Sequence, residues 1–126
     1  MADAPIPSPA ELLQWLNWSA IQLEKLGTAL EQAYIALGDS ETEYEEQLDD
    51  ALINLVDECE RQGERIPPQD LRSARARKAI GFSVYTRYRK AKHLVNGLEK
   101  RSRLLESAVG ARQSTLRGLR EGSGRE

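Results

Sequence analysis

Apolar residues recur along this chain in alternating steps of four and three. From Leu12 the run Leu12, Leu16, Ser19, Leu23, Leu26, Leu30, Ala33 and Leu37 follows that spacing, and only Ser19 is polar. Such steps keep side chains on one helix face and predict an a/d seam of more than three heptads. Trp15, Trp18 and Ile21 fall off the line and widen the apolar surface, which predicts more than one partner helix. Ser8-Pro9-Ala10-Glu11 marks the start: an N-cap serine, a proline suited to the first helical position, and a glutamate where a capping box places it. Residues 1–7 read as a disordered lead-in. Gly27 costs about 1 kcal/mol relative to alanine, which a seam this regular absorbs.

The phase then slips. Tyr44, Leu48, Ala51, Leu55 and Glu58 resume the period after Gly38-Asp39-Ser40. Gly38 suits a helix C-terminus, and Ser40 to Glu43 spells a second capping box. A break at Gly38 is predicted, with one continuous helix carrying a stutter as the alternative. Gly63 closes this stretch, and Ile66-Pro67-Pro68 predicts a rigid turn. A last long helix is then expected on the seam Val84, Tyr88, Ala91, Val95, Leu98, Ser102, Leu105, Val109, Arg112, Leu116 and Leu119, with Ser102 and Arg112 breaking an otherwise apolar line. Gly81, Gly97 and Gly110 are spaced along it, and residues 122–126 read as a disordered tail.

The expected fold is therefore all-α: a long, coiled-coil-like helical hairpin of two to three helices, over about 9–37, 41–62 and 68–119, in one domain from 8 to 121. About fifty residues of helix span ~75 Å. One small globule cannot cover such a rod, so homo-oligomers are expected. The expected interface is Leu12, Leu16, Leu23, Leu26, Leu30 and Leu37, with Val84, Tyr88, Val95, Leu98, Leu105, Val109 and Leu116.

Composition narrows the function. Charged residues make up 30% of the 126 residues and aromatics only 6%, which suits long solvent-washed helices. No apolar stretch approaches the roughly 18–20 residues of a membrane span. The opening residues have neither a basic nor an apolar run, so no secretion signal is expected and a cytoplasmic location is. Cys59 has no second cysteine to pair with, and His93 has no acid near it in sequence. Neither a phosphate loop nor zinc-type Cys/His spacing is present, so neither an enzyme nor a cofactor or metal site is expected. The acidic run Glu41, Glu43, Glu45, Glu46, Asp49 and Asp50 lacks a loop glycine and reads as a solvated face.

The net charge of −2 hides an asymmetry. Residues 1–66 hold 15 Asp/Glu against Lys25, Arg61 and Arg65, a balance of −12; residues 67–126 hold 15 Lys/Arg against five acids, a balance of +10. Either the halves neutralise each other or the basic half meets an external polyanion. Arg89, Lys92, Asn96, Lys100 and Arg103 step along the face opposite the seam with almost no acid among them. Phe82, Tyr85 and Tyr88 interleave with cations near its beginning. Regular positive charge beside aromatic planes is what single-stranded nucleic acid binding requires; the bland alternative makes Tyr88 seam and Tyr85 its neighbour, with the arginines paired to the Glu-rich helix. The candidate DNA-binding residues are Arg72, Arg75, Lys78, Arg87, Arg89, Lys90, Lys92, Lys100, Arg101 and Arg103.

Glu41-Thr42-Glu43-Tyr44, a polar turn, and a basic helix carrying Tyr85 and Tyr88 and ending in Leu98-Glu99-Lys100-Arg101-Ser102-Arg103-Leu104-Leu105 and Arg112-Gln113-Ser114-Thr115-Leu116-Arg117 follow in order. Over roughly Leu30 to Leu119 this resembles the small helical proteins of phage recombination cassettes, and is similar to the UvsY-type recombination mediators. The resemblance implies a helical-hairpin protomer in a closed homo-oligomeric ring. It also implies electrostatic binding of single-stranded DNA and assistance to a recombinase in displacing single-strand-binding protein. It carries Arg87, Arg89, Lys90, Lys92, Lys100, Arg101 and Arg103 across as candidate phosphate contacts. The expectation is a recombination accessory factor of a phage or bacterium. The alternatives are a coiled-coil assembly or scaffold component, and an inhibitor that binds a host protein through Glu41–Asp50.

Overall fold

The computed structural model describes residues 7–124, which form three helices and no strand: α1 (Pro9–Gln62), α2 (Gln69–Ala79) and α3 (Phe82–Gly124). The all-α class is as expected. The expected lead-in lies outside the described residues up to residue 6, and Pro7 and Ser8 precede the first helix. The expected tail is helical through Gly124, and residues 125 and 126 lie outside.

The start of α1 is the expected one. The Glu11 amide donates to Ser8 Oγ at 3.2 Å, so one of the unpaired donors of the first turn is satisfied, and the Leu12 amide donates to the Ser8 carbonyl at 3.0 Å as the first helical bond. The break at Gly38 is not present: α1 runs 54 residues through it. Ser40 explains the difference. Its Oγ donates back to the Ala36 carbonyl at 2.8 Å, a mid-helix use of the hydroxyl that competes with capping. Gly38 costs about 1 kcal/mol, and the half-buried Leu37 and Tyr44 on either side carry the packing through it. α1 ends where expected, in a Schellman motif. Gly63 adopts φ 67°, the Glu64 amide donates to the Cys59 carbonyl at 2.9 Å, and the Gly63 amide to the Glu60 carbonyl at 3.3 Å.

The expected last helix, by contrast, is two helices. α2 stops at Ala79, Ile80 turns extended (φ −71°, ψ 136°), and α3 begins at Phe82. Gly81 weakens the helix here, and the turn leaves Ile80 only 7% exposed, near the values of Ala76 and Val84. Burying Ile80 in line with those two compensates for the lost helical hydrogen bonds.

The chain divides into two compact units: Met1–Glu31 with Asn96–Glu126, and Gln32–Val95. In the first, the beginning of α1 packs on the end of α3. Leu12, Ser19 and Leu116 are buried, and Leu16, Leu23, Leu26, Leu30, Leu98, Leu105 and Val109 are half-buried. Two of the three polar interruptions of the seams, Ser19 and Arg112, have local solutions. Ser19 Oγ, fully buried, donates to the Trp15 carbonyl at 2.8 Å. Arg112 lays its guanidinium over the Trp15 ring, 3.7 Å from the centroid, and Trp18 lies 6.3 Å beyond. An arginine in a seam is tolerated because its plane stacks on indole while its stem adds apolar contact.

In the second unit the end of α1 packs on α2 and the start of α3, burying Ala33, Cys59, Ala76, Ile80, Val84 and Val95. Cys59 behaves as a small buried hydrophobe, while Glu58, placed on the seam by spacing, is exposed. Leu37 and Tyr88 are half-buried here. Of the residues expected at an oligomer interface, Leu12, Leu116, Val84 and Val95 are buried by the chain itself. The large apolar side chains left exposed are others, among them Trp18, Ile21, Phe82 and Leu104.

Gly63→Ala is expected to lower stability by about 1–2 kcal/mol, because a Cβ is disfavoured at positive φ. Gly38→Ala, where an added Cβ meets nothing within 4 Å, is expected to raise it by ~0.8–1 kcal/mol. Urea denaturation followed by far-ultraviolet circular dichroism checks both, and equal signs would contradict the assignment of the two glycines. In the same assay Arg112→Ala is expected to lose about 1 kcal/mol or more, and Arg112→Lys to restore only part of it, since ammonium cannot stack as a plane.

Candidate nucleic-acid interface

α2 is short and rich in arginine, and its last turn holds Arg77 and Lys78, where cations complement the helix dipole. The interruption at Ile80 and Gly81 then starts α3 with Phe82, and one turn later comes Tyr85. Arg77, Lys78, Ile80, Phe82, Tyr85 and, from α1, Tyr44 line one recess of about 430 Å³. Phe82 is 83% exposed and Tyr85 40%. The Tyr44 ring stacks on Tyr88 with centroids 5.4 Å apart and planes 9° from parallel, and lies 5.7 Å from Tyr85 at a 45° tilt. Arg89 sits over Tyr85, 5.7 Å from its centroid. Tyr85 is therefore held by a ring and a cation, while Phe82 projects freely.

The other candidates in this unit separate into spent and unspent charge. Arg87 donates through Nη2 to Glu43 Oε1 at 3.1 Å. Both side chains are well exposed, so the pair contributes about 0–1 kcal/mol. Arg75 lines a second recess, of about 340 Å³, together with Asp50 and Glu58. Arg72 is half-buried and its Nε is buried with no hydrogen-bond partner, so it is drawn partly inward. Lys78, Arg89, Lys90 and Lys92 are exposed, and no described carboxylate lies within ion-pairing distance of them or of Arg77.

In the other unit, Lys100 and Arg103 line a shallow recess with Asn96 and Leu104. Arg103 also pairs with Glu99, Nη2 to Oε2 at 3.4 Å, and Arg101 is exposed.

Two residues of the aromatic recess are not evident from the sequence. Arg77 belongs to a basic cluster but not to the candidate DNA-binding residues, and Tyr44 reads as seam. The signal for Tyr44 is its place beside a run of acids, opposite in charge to the helix that carries Tyr85. Tyr88 is half-buried against Tyr44 and Tyr85 lies beside them, as the bland reading has it, while Phe82 is exposed.

Of the remaining chemistry, His93 is exposed on α3 and Cys59 is buried with a free thiol. Among the described residues, no group of three or more His, Cys, Asp or Glu converges to hold a metal, and no helix is long and apolar enough to cross a membrane. Glu45, Glu46 and Asp49 of the acidic run are exposed. The chain matches no protein-family model, no curated protein and no solved structure.

Proposed function

We propose that this chain is a non-enzymatic protein that binds single-stranded DNA and serves as an accessory factor in homologous recombination of a phage or bacterium. One observation supports the binding: Arg77, Lys78, Arg89, Lys90 and Lys92 are exposed cations without carboxylate partners, in a unit whose α1 segment carries the acids that could have neutralised them. Each cation that meets a phosphate releases condensed counterions, so such an array binds polyanions without reading their sequence. The role in recombination, with a recombinase and single-strand-binding protein as further partners and a homo-oligomeric state, rests on the resemblance to UvsY-type mediators alone.

A second reading, an assembly component, is favoured by Leu13, Trp18 and Ile21 on α1. These are 42%, 52% and 53% exposed and lie on faces that the chain's own seam does not cover. Self-association would have to use such positions, because the most deeply buried seam residues are already occupied.

Fluorescence anisotropy of a labelled oligonucleotide, across a series of salt concentrations, is expected to show an affinity that falls linearly on logarithmic axes. Replacing Arg77, Lys78, Arg89 and Lys92 by glutamine is expected to flatten the slope by about 0.7 for each phosphate that is no longer neutralised. No binding by the natural sequence even at low salt, with light scattering showing large assemblies, would favour the second reading instead.

A further inference from the structure

The recess beside the helix interruption has a composition that general electrostatic attraction does not need. Its lining contains three aromatic rings and two cations and no acid. Phosphate binding alone calls for the cations; it gives no reason to leave Phe82 83% exposed near them. We propose that this recess is a stacking site for one unpaired nucleobase of a bound strand, with Phe82 and Tyr85 as its platform and Arg77 and Lys78 holding the adjoining phosphates. The proposal rests on the single-stranded DNA reading above and specifies where that reading makes contact with bases.

Three features carry it. The first is pre-organisation. Tyr85 touches Tyr44, which is itself stacked on Tyr88, and carries Arg89 over its ring, so the platform loses little freedom when a base arrives. Phe82 stands three residues earlier in α3, on the same side of the helix, and offers a second ring without a packing role. The second feature is the break itself. Were α2 and α3 continuous, Ile80 would be one more helical position; its extended backbone instead lets the last turn of α2 and the first turn of α3 line one recess. The third is size. A volume of about 430 Å³ falls in the range of small-molecule sites, enough for a base and its sugar. A duplex keeps its bases stacked inside and would have to extrude one first; a single strand presents them directly.

The test compares two fluorescent strands of equal length, a thymidine oligomer and one made wholly of abasic sites, titrated against the full chain at one salt concentration. The intact protein is expected to prefer the thymidine strand by about tenfold or more. Phe82→Ala is expected to remove most of that preference while leaving the abasic strand's affinity unchanged, and Phe82→Trp to retain the preference. Because Phe82 is so exposed, its removal leaves the fold intact, which circular dichroism verifies. Arg77→Gln with Lys78→Gln is expected to weaken both strands by the same factor. Equal affinity of the intact protein for both strands, or a preference that survives Phe82→Ala, overturns the stacking site while leaving strand binding in place. Failure of both strands to bind overturns the function on which it rests.

Discussion

A helix has no interior, so a 54-residue helix is stable in water only if something outside it covers its apolar stripe. α1 carries such a stripe along most of its length, and in each unit it is covered by a different part of the returning chain. In one, Leu12 and its neighbours meet the Leu116 end of α3; in the other, Ala33 and the residues beyond meet α2 and the start of α3. Everything else follows from that use of the seam. Once it faces inward, the one-signed charges of α2 and α3 must lie on the remaining faces, and the aromatics off the stripe are left in water.

Charge is settled more loosely than apolar surface. The acids of α1 and the bases of α2 and α3 share a unit, yet they meet side chain to side chain at Glu43 and Arg87 and more distantly around Asp50, Glu58 and Arg75. Exposed ion pairs contribute little, so folding exerts only weak pressure to match every cation with an acid. A chain can therefore keep a fold with opposite charges side by side and still present unmatched cations at its surface. Within this one unit Arg87 is matched by an acid, while Arg77, Lys78, Arg89, Lys90 and Lys92 are not.

The helical class was legible because period is a local property: the steps of four and three from Leu12 to Leu37, and from Val84 to Leu119, need no tertiary knowledge. Helix ends were legible where backbone chemistry demands a particular residue, as at Ser8 and Gly63. They were illegible where two solutions have similar energies. Gly38 could end a helix, but Ser40 can bond backward as readily as it caps, and the flanking apolar residues decide. The interruption at Ile80 went unseen because Gly97 and Gly110 carry the same weak signal and sit within helix. What distinguishes Gly81 is that Ala76, Ile80 and Val84 all have somewhere to be buried. Among the candidate DNA-binding residues, exposure of Arg89, Lys92, Lys100 and Arg103 could be read from spacing. The pairing of Arg87 with a glutamate 44 residues away, and of Arg112 with Trp15, could not.

One feature of the aromatic distribution has use beyond packing. Both tryptophans, Trp15 and Trp18, belong to the unit formed by the two ends of the chain, and all four tyrosines, Tyr34, Tyr44, Tyr85 and Tyr88, belong to the other. Each unit thus has a chromophore of its own. Excitation at the red edge of the absorption band, where only indole absorbs, observes the first; the tyrosine bands observe the second. If the units lose structure at different denaturant concentrations, as separate cooperative segments can, the two signals will part, and if they unfold together, the curves will superimpose. The chain carries the spectroscopic means of reporting its own cooperativity without any added label.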